Sequence, residues 1–258
     1  MQVQELRCFG ASAGKGNVAI VVEDGPAAPA ERQAFAAAQS CGATVFLEHG
    51  ATVTADFYYP HARSPLCLHA TLAAAHVLLE RGGPAQLTTA MRGQTVHLLR
   101  TAQGTFAGVA RQAVAPLGID AGLPAQLLGE PALVLASAPL LASVGSPKLL
   151  IEVTTPDVLR ALRPPLERIV DWSRAHGVNG CYVYCRVGED AYEGRNFNHL
   201  DPAKEDLATG VAAGALSAWL GRALTVYQGA PLGNPCKILT RIEGDTIFVG
   251  GATELIVD

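Results

Sequence analysis

"PLCLHATLAAAHVLLE" (residues 65–80) and "KEDLATGVAAGALSAWL" (204–220) decide the fold of this chain. Each opens on polar or titratable side chains and then turns apolar on nearly every face. A helix apolar all round is a buried one, so helices are predicted over about 69–80 and 209–221, each surrounded by the sheet of its own domain. The polar residues sit at the starts: Cys67 and His69 in one, Glu205, Asp206 and Thr209 in the other. A helix leaves its first backbone N–H groups without intrahelical partners, and its dipole places partial positive charge there. Two such ends facing across a domain cleft would bind a small carboxylate, and a titratable group at each could work on a proton of the bound molecule. On pattern alone His69 reads equally well as a helix-capping residue, and Asp206 as an N-terminal charge of the kind helices favour.

Upstream of each helix the chain repeats itself. "NVAIVVEDG" (17–25) reads as a strand, followed by a helical stretch near 29–39 and a strand "ATVFLEH" (43–49). "KLLIEV" (148–153) is likewise followed by a helix near 166–176 and a strand "CYVYCRV" (181–187). Short strand-like pieces, "ADFYYP" (55–60) and "EGRNFNHL" (193–200), lead into the two apolar helices. Matching positions are offset by 131 (18 to 149), 137 (45 to 182) and 142 (67 to 209). The predicted fold is therefore α+β, with two pseudo-symmetric domains each wrapping a β-sheet around a central buried helix. Their predicted limits are 1–115 and 125–245, with closing strands from "DTIFVGGATELIVD" (245–258) packing back on the first.

The chain has 258 residues and a net charge of −4, enough for two domains and without an electrostatic footprint for nucleic acid. No apolar stretch reaches the roughly 18–20 residues of a membrane span. The first residues lack the basic and apolar regions of a signal peptide, so a cytoplasmic setting is expected. Six scattered cysteines (8, 41, 67, 181, 185, 236) fit reduced thiols. Cys181 and Cys185 fall on one face of a strand and are predicted to be core. The histidines are dispersed and there is no C-x-x-C pair, so no metal site is expected. "GASAGKGN" (10–17) falls one residue short of a phosphate loop and lacks the magnesium-binding hydroxyl after lysine.

Several motifs, taken together, resemble the phenazine-biosynthesis PhzF-like isomerases of the diaminopimelate epimerase superfamily. "KGNVAIVV" (15–22) is similar to the family's G-N-P-x-A-V-V strand, and "TVFL" (44–47) to the end of its S-E-T-x-F motif. "LCLHATLAAAHVL" (66–78) resembles L-C-G-H-A-T-L-A-A-A, and "KEDLATGVAAGAL" (204–216) resembles E-D-P-A-T-G-S-A. "YQGAPLG" (227–233) is similar to a glutamine-glycine segment near the family's end.

The resemblance implies a diaminopimelate epimerase-like fold, a site between its two domains, and proton transfer without a cofactor. It implies catalytic roles for His69 and Asp206. It places Asn17, Ala43, Cys67, Leu68, Thr209, Gly210, Val211, Gln228 and Gly229 at the substrate. Ala43 stands where the family carries its catalytic glutamate. Leu68, Leu207 and Val211 replace a glycine, a proline and a serine. Backbone carboxylate binding survives such changes, whereas the principal proton shuttle does not. The epimerase branch uses two cysteines where this chain has Cys67 and Thr209, and a hydroxyl is too weak an acid for symmetric two-thiol inversion. The expected activity is a double-bond shift on a small conjugated carboxylate in antibiotic or other secondary-metabolite biosynthesis, such as a pyrroline carboxylate of a 4-alkylproline route. Amino-acid racemisation, and a degenerate protein that only binds a carboxylate, stand as alternatives. The expected partner is that small molecule, with neither nucleic acid nor membrane, and a homodimer is compatible with this reading.

Overall fold

The computed structural model describes residues 1–39, 42–197 and 205–257. The chain divides into two compact units, Met1–Val109 with Phe248–Asp258, and Ala110–Ile247. The strand predicted over 193–200 is seen as far as residue 197; its last three positions lie outside the described residues, as does Cys41.

In the first unit β1 (Gln2–Cys8) and β2 (Asn17–Glu23) form an antiparallel hairpin, and "GASAGKGN" is its connecting loop. A phosphate loop joins a strand to a helix, so this segment is a turn and nothing more. Helix α1 (Pro29–Ala37) crosses over to β3 (Ala43–Glu48), which runs parallel to β2 with Ala19 opposite Ala43. Strands β4 (Thr54–Tyr59) and β5 (Ala62–Ser64) follow antiparallel, and then α2 (Leu68–Glu80). Strands β6 (Gln86–Thr89), β7 (Thr95–Thr101) and β8 (Gly104–Ala110) continue the sheet.

Alternation along the strands gives the sheet two faces. Ile20, Val22, Phe46 and Tyr58 pack with Ala36 of α1 on one side. The intervening residues look toward α2, which touches β1, β2, β3, β4 and β7. Nine of its thirteen residues are buried, so the apolar run is a core element and not an amphipathic surface helix.

The second unit repeats this plan. After α3 (Leu123–Leu128) come β9 (Leu140–Ala142) and β10 (Lys148–Glu152), then the crossover helices α4 (Pro156–Ala161) and α5 (Leu166–His176). Strand β11 (Cys181–Arg186) is parallel to β10, and β12 (Ala191–Phe197) and β13 (Glu205–Asp206) are added antiparallel. Helix α6 (Gly210–Leu220), β14 (Thr225–Gln228) and β15 (Cys236–Glu243) complete the repeat. Leu149, Ile151, Cys181, Val183, Cys185 and Phe197 form a core with Leu159 of α4 and Ile169 of α5. Both cysteines are buried packing residues. The alternate positions face α6.

The final strands, β16 (Thr246–Gly251) and β17 (Thr253–Leu255), pair with β8 and β1, the two edges of the first sheet. Helix α2 touches β17 as well, so the first sheet closes around its helix with strands from both ends of the chain. No helix among the described residues is long and apolar enough to cross a membrane.

Candidate active site

Cys67 is the N-cap residue of α2, with extended backbone (φ −136°, ψ 105°), and makes no side-chain cap bond. Its thiol is buried, whereas His69, the second helical residue, is half-buried. The Cys67 Sγ lies 3.4 Å from His69 Nδ1 and 3.7 Å from Nε2. The Tyr59 hydroxyl, at the end of β4, donates to the same sulfur at 3.4 Å. Burial pushes the thiol up, but the His69 charge, the hydrogen bonds from His69 and Tyr59, and the Ala70 N–H together hold it below the ordinary thiol value. A lowered thiol at a helix start beside an imidazole is the environment of a reactive cysteine. In contrast, the fully buried Cys8 thiol, with no imidazole beside it and only the Ala73 backbone hydrogen bond in opposition, is shifted far upward, mainly by desolvation.

Leu68 turns its side chain into the core, leaving its backbone in the first turn. Asn17 and Ala43, both buried, begin β2 and β3 on the face toward α2. Gly42, just before Ala43, has φ +51°, and a Cβ there would lie 1.8 Å from the Val18 carbonyl oxygen. The strand entry is thus held tight, and Ala43, 1% exposed, is shut off from solvent.

The second cluster lies at the start of α6. Thr209 occupies the N-cap but does not cap the helix. Its hydroxyl instead donates to Asp206 Oδ2 at 2.6 Å, a short charge-assisted bond. Gln228, 2% exposed, ties the two together. Its Nε2 donates to the Asp206 carbonyl at 2.8 Å and to Thr209 Oγ1 at 3.2 Å, while its Oε1 accepts from the Thr209 N–H at 3.2 Å. Tyr182 also donates to Gln228 Oε1, at 3.4 Å. Asp206 is therefore fixed by a network and does not cap the helix. Gly229 follows with φ +82°, and a Cβ there would meet the Asn234 and Leu207 carbonyl oxygens at 2.3 and 2.7 Å. Gly210 and Val211 supply the first-turn N–H groups.

Two ion pairs fix the short strands that lead into these helices. Arg63 of β5 grips Asp56 with Nε at 2.7 Å and Nη2 at 3.1 Å, and Arg32 of α1 joins Asp56 to Glu48. In the second unit Arg195 of β12 grips Glu205 of β13 at 2.9 and 2.6 Å, and its other nitrogen donates to the Leu159 and Leu162 carbonyls. Glu205 is the neighbour of Asp206, so this clamp sets where the aspartate sits.

The structure thus groups Cys67 with His69, and Asp206 with Thr209, Gln228 and Gly229. Asn17 and Ala43 share the sheet face turned toward α2, each at the start of its strand. Sequence reasoning missed Tyr59 and Tyr182. Strand register corrects the repeat at this point: Ala19 pairs with Ala43 and Leu150 with Tyr182, and 19 + 131 = 150, so Tyr182 is the second-unit counterpart of Ala43, whereas sequence spacing alone matches it to Val45. Among the described residues no group of three His, Cys, Asp or Glu side chains is arranged to hold a metal ion.

Comparison with known proteins gives this geometry a family. An uncharacterized isomerase of Deinococcus radiodurans is 30% identical over 270 aligned positions, covering 93% of this chain and 86% of the relative. The crystal structure of a Bacillus anthracis phenazine biosynthesis protein of the PhzF family superposes with a TM-score of 0.80 at 20% identity, covering 100% of this chain and 98% of that one. A hydroxyproline epimerase from Agrobacterium vitis, solved with trans-4-hydroxy-L-proline bound, shares the fold at a TM-score of 0.57 and 14% identity, over 100% of this chain and 91% of that one. The family described as phenazine biosynthesis-like protein matches residues 6–248, nearly the whole chain, so the protein belongs to that family and is a PhzF-like isomerase.

Proposed function

We propose that this isomerase moves a proton along a small conjugated carboxylate without a cofactor, shifting a double bond, and that Cys67 and His69 act as its proton-carrying pair. One observation carries the reading: a thiol held below its ordinary value, 3.4 Å from an imidazole at the start of a buried helix. Such a pair supplies a base in a chain that carries Ala43 where the resemblance places the family's glutamate. The base takes a proton from a carbon adjacent to the conjugated system, the C–H electron pair moves into that system, and a proton returns at the far carbon. Protons and electrons balance, and the double bond has moved.

Asp206, held by Thr209 and Gln228, serves as the second acid/base group or orients a water, and the first-turn N–H groups hold the carboxylate. An unsaturated pyrroline carboxylate suits this machinery, because conjugation with the imine acidifies its own C–H bonds. A step in antibiotic biosynthesis, as in a 4-alkylproline route, fits that chemistry. A cytoplasmic setting and a homodimer belong to the same reading.

The test follows a pyrroline carboxylate in heavy water by proton NMR. Deuterium entering at a ring carbon together with a moved double bond supports the reading. Deuterium at the α-carbon with loss of optical activity assigns racemisation instead. No exchange with any conjugated carboxylate, despite binding, would leave the protein as a binder only.

A further inference from the structure

Lys148 is the first residue of β10, and it is 0% exposed. Its Nζ has no hydrogen-bond partner among the described residues. A buried ammonium without a partner is costly, and proteins retain such groups where the charge has a use. Its place in the fold points to that use. Lys148 and Leu150 share a strand face, and Leu150, Tyr182, Asn196 and Asp206 are directly opposite one another across β10, β11, β12 and β13. This is the face turned toward α6, since the alternate residues pack with α4 and α5. Asn196 in the same row is 0% exposed, and both atoms of its side-chain amide also lack partners among the described residues. Two buried polar side chains with unused bonding capacity therefore lie on the side of the sheet where α6 begins, Asn196 directly opposite Asp206 and Lys148 close enough to feel its charge.

The charges at this point conflict if a carboxylate is to bind there. The first turn of α6 attracts an anion, but the Asp206 carboxylate, hydrogen-bonded to the N-cap residue Thr209, repels one. We propose that Lys148 is a positioning residue that supplies the buried counter-charge to Asp206, so that the start of α6 accepts the carboxylate of a planar, unsaturated substrate. The inference rests on the carboxylate reading of the preceding section and names the group that makes it selective. It also accounts for the sequence position: 17 + 131 = 148, so Lys148 replaces in the second unit the neutral Asn17 of the first.

Electrostatics agrees with the geometry. Burial pushes the Lys148 amine down to about 8, opposed by Asp206 and by Cys181. Glu152, Tyr184 and Tyr192 lie further along the same sheet face, and the ionisable groups around this row are Tyr182, Cys181 and Cys236. Burial raises all three, to about 12 for each thiol, and so leaves them neutral near pH 8. Neither α6 nor β9 carries an ionisable side chain. Because the folded value lies below the unfolded one, near 10.5, protonated Lys148 opposes folding. That penalty is complete below about pH 8 and relieved as pH rises toward 10.5.

The experiment compares pyrrole-2-carboxylate with its neutral isostere pyrrole-2-carboxamide on the full-length protein and on Lys148→Met. Wild type is expected to prefer the carboxylate, and to lose that preference as pH rises through about 8. Lys148→Met is expected to bind the carboxylate roughly 10- to 100-fold more weakly, as for loss of a charged partner, with carboxamide affinity unchanged. It should also melt higher than wild type at pH 7, with the gap closing as pH rises from about 8 to 10.5. A residue kept for packing alone would lower the melting temperature and leave the preference intact. A second readout needs no variant. The chain has four lysines, Lys15, Lys148, Lys204 and Lys237, so the lysine Cε signals can be followed by carbon NMR. One of them, titrating well below the others, should move when the carboxylate binds and stay still with the carboxamide. If wild type prefers the carboxylate and Lys148→Met retains that preference and its pH profile, the inference fails and the carboxylate reading stands. If wild type shows no preference at any pH, the reading fails and takes the inference with it.

Discussion

The imidazole of His69 and the thiol of Cys67 share one hydrogen-bonding neighbourhood, and the imidazole pulls the thiol down. Removing His69 takes away the second influence on the thiol after burial, and the one with the strongest downward pull. Cys67 should therefore climb toward the inert, neutral state of buried Cys8. The expected outcome for His69→Ala is a thiolate ultraviolet absorbance that appears at higher pH than in wild type, with Cys67→Ala as the blank. Turnover should fall by about 10²–10⁴-fold, the usual contribution of a positioned acid or base. Asp206→Asn should lower turnover comparably, while binding of a carboxylate analogue is kept. Ala43→Glu should not raise the rate, because a carboxylate would be forced into a site that is 1% exposed, at a desolvation cost. Gly229→Ala is a separate case. Its positive φ and the two carbonyl oxygens within 2.7 Å of a Cβ should cost about 1–3 kcal/mol in a denaturant melt and disturb the Leu207 backbone beside Asp206.

Helices α2 and α6 were legible because every residue type in them answers one question, whether the helix is buried. Predicted over 69–80 and 209–221, they run Leu68–Glu80 and Gly210–Leu220. The strands at 17–23, 43–48, 148–152 and 181–186 were legible for the same reason. Helix α4 and strand β5 were not, being six and three residues long and short of a full period. The clamps of Arg63 on Asp56 and Arg195 on Glu205 were also invisible, since each joins two strands through a register that sequence spacing does not fix. Nor does the thiol's charge state follow from "CLH", because it depends on Tyr59 arriving from β4. The clamps carry their own prediction. Asp56 is 2% exposed and bound by two guanidinium groups, so Asp56→Ala would take from buried Arg32 its buried acidic partner and leave it only the half-exposed Glu48. It should cost about 3–5 kcal/mol in chemical denaturation. Glu205→Gln should cost less, but slow turnover by loosening the strand that carries Asp206.

At the scale of the whole molecule, the first unit is assembled from both ends of the chain. Leu6, Arg7 and Cys8 pair with Leu255, Glu254 and Thr253, and buried Phe248 and Val249 lie in the strand that pairs with β8. Removing residues 248–258 should therefore leave β1 and β8 with bare edges, while the second unit keeps its own sheet. Hydrogen exchange measured by mass spectrometry should show amides of β1 and β8 losing protection in that truncation, and those of β10 and β11 retaining it. The closure also governs the order of events on the ribosome. Residues 1–109 emerge first, yet their sheet lacks its last two strands until more than two hundred residues have been translated. The second unit, Ala110–Ile247, is contiguous and can fold as soon as it clears the exit tunnel. The half that is made first is finished last, and it waits with the unclosed edges of β1 and β8 open to chaperones or to a neighbouring nascent chain.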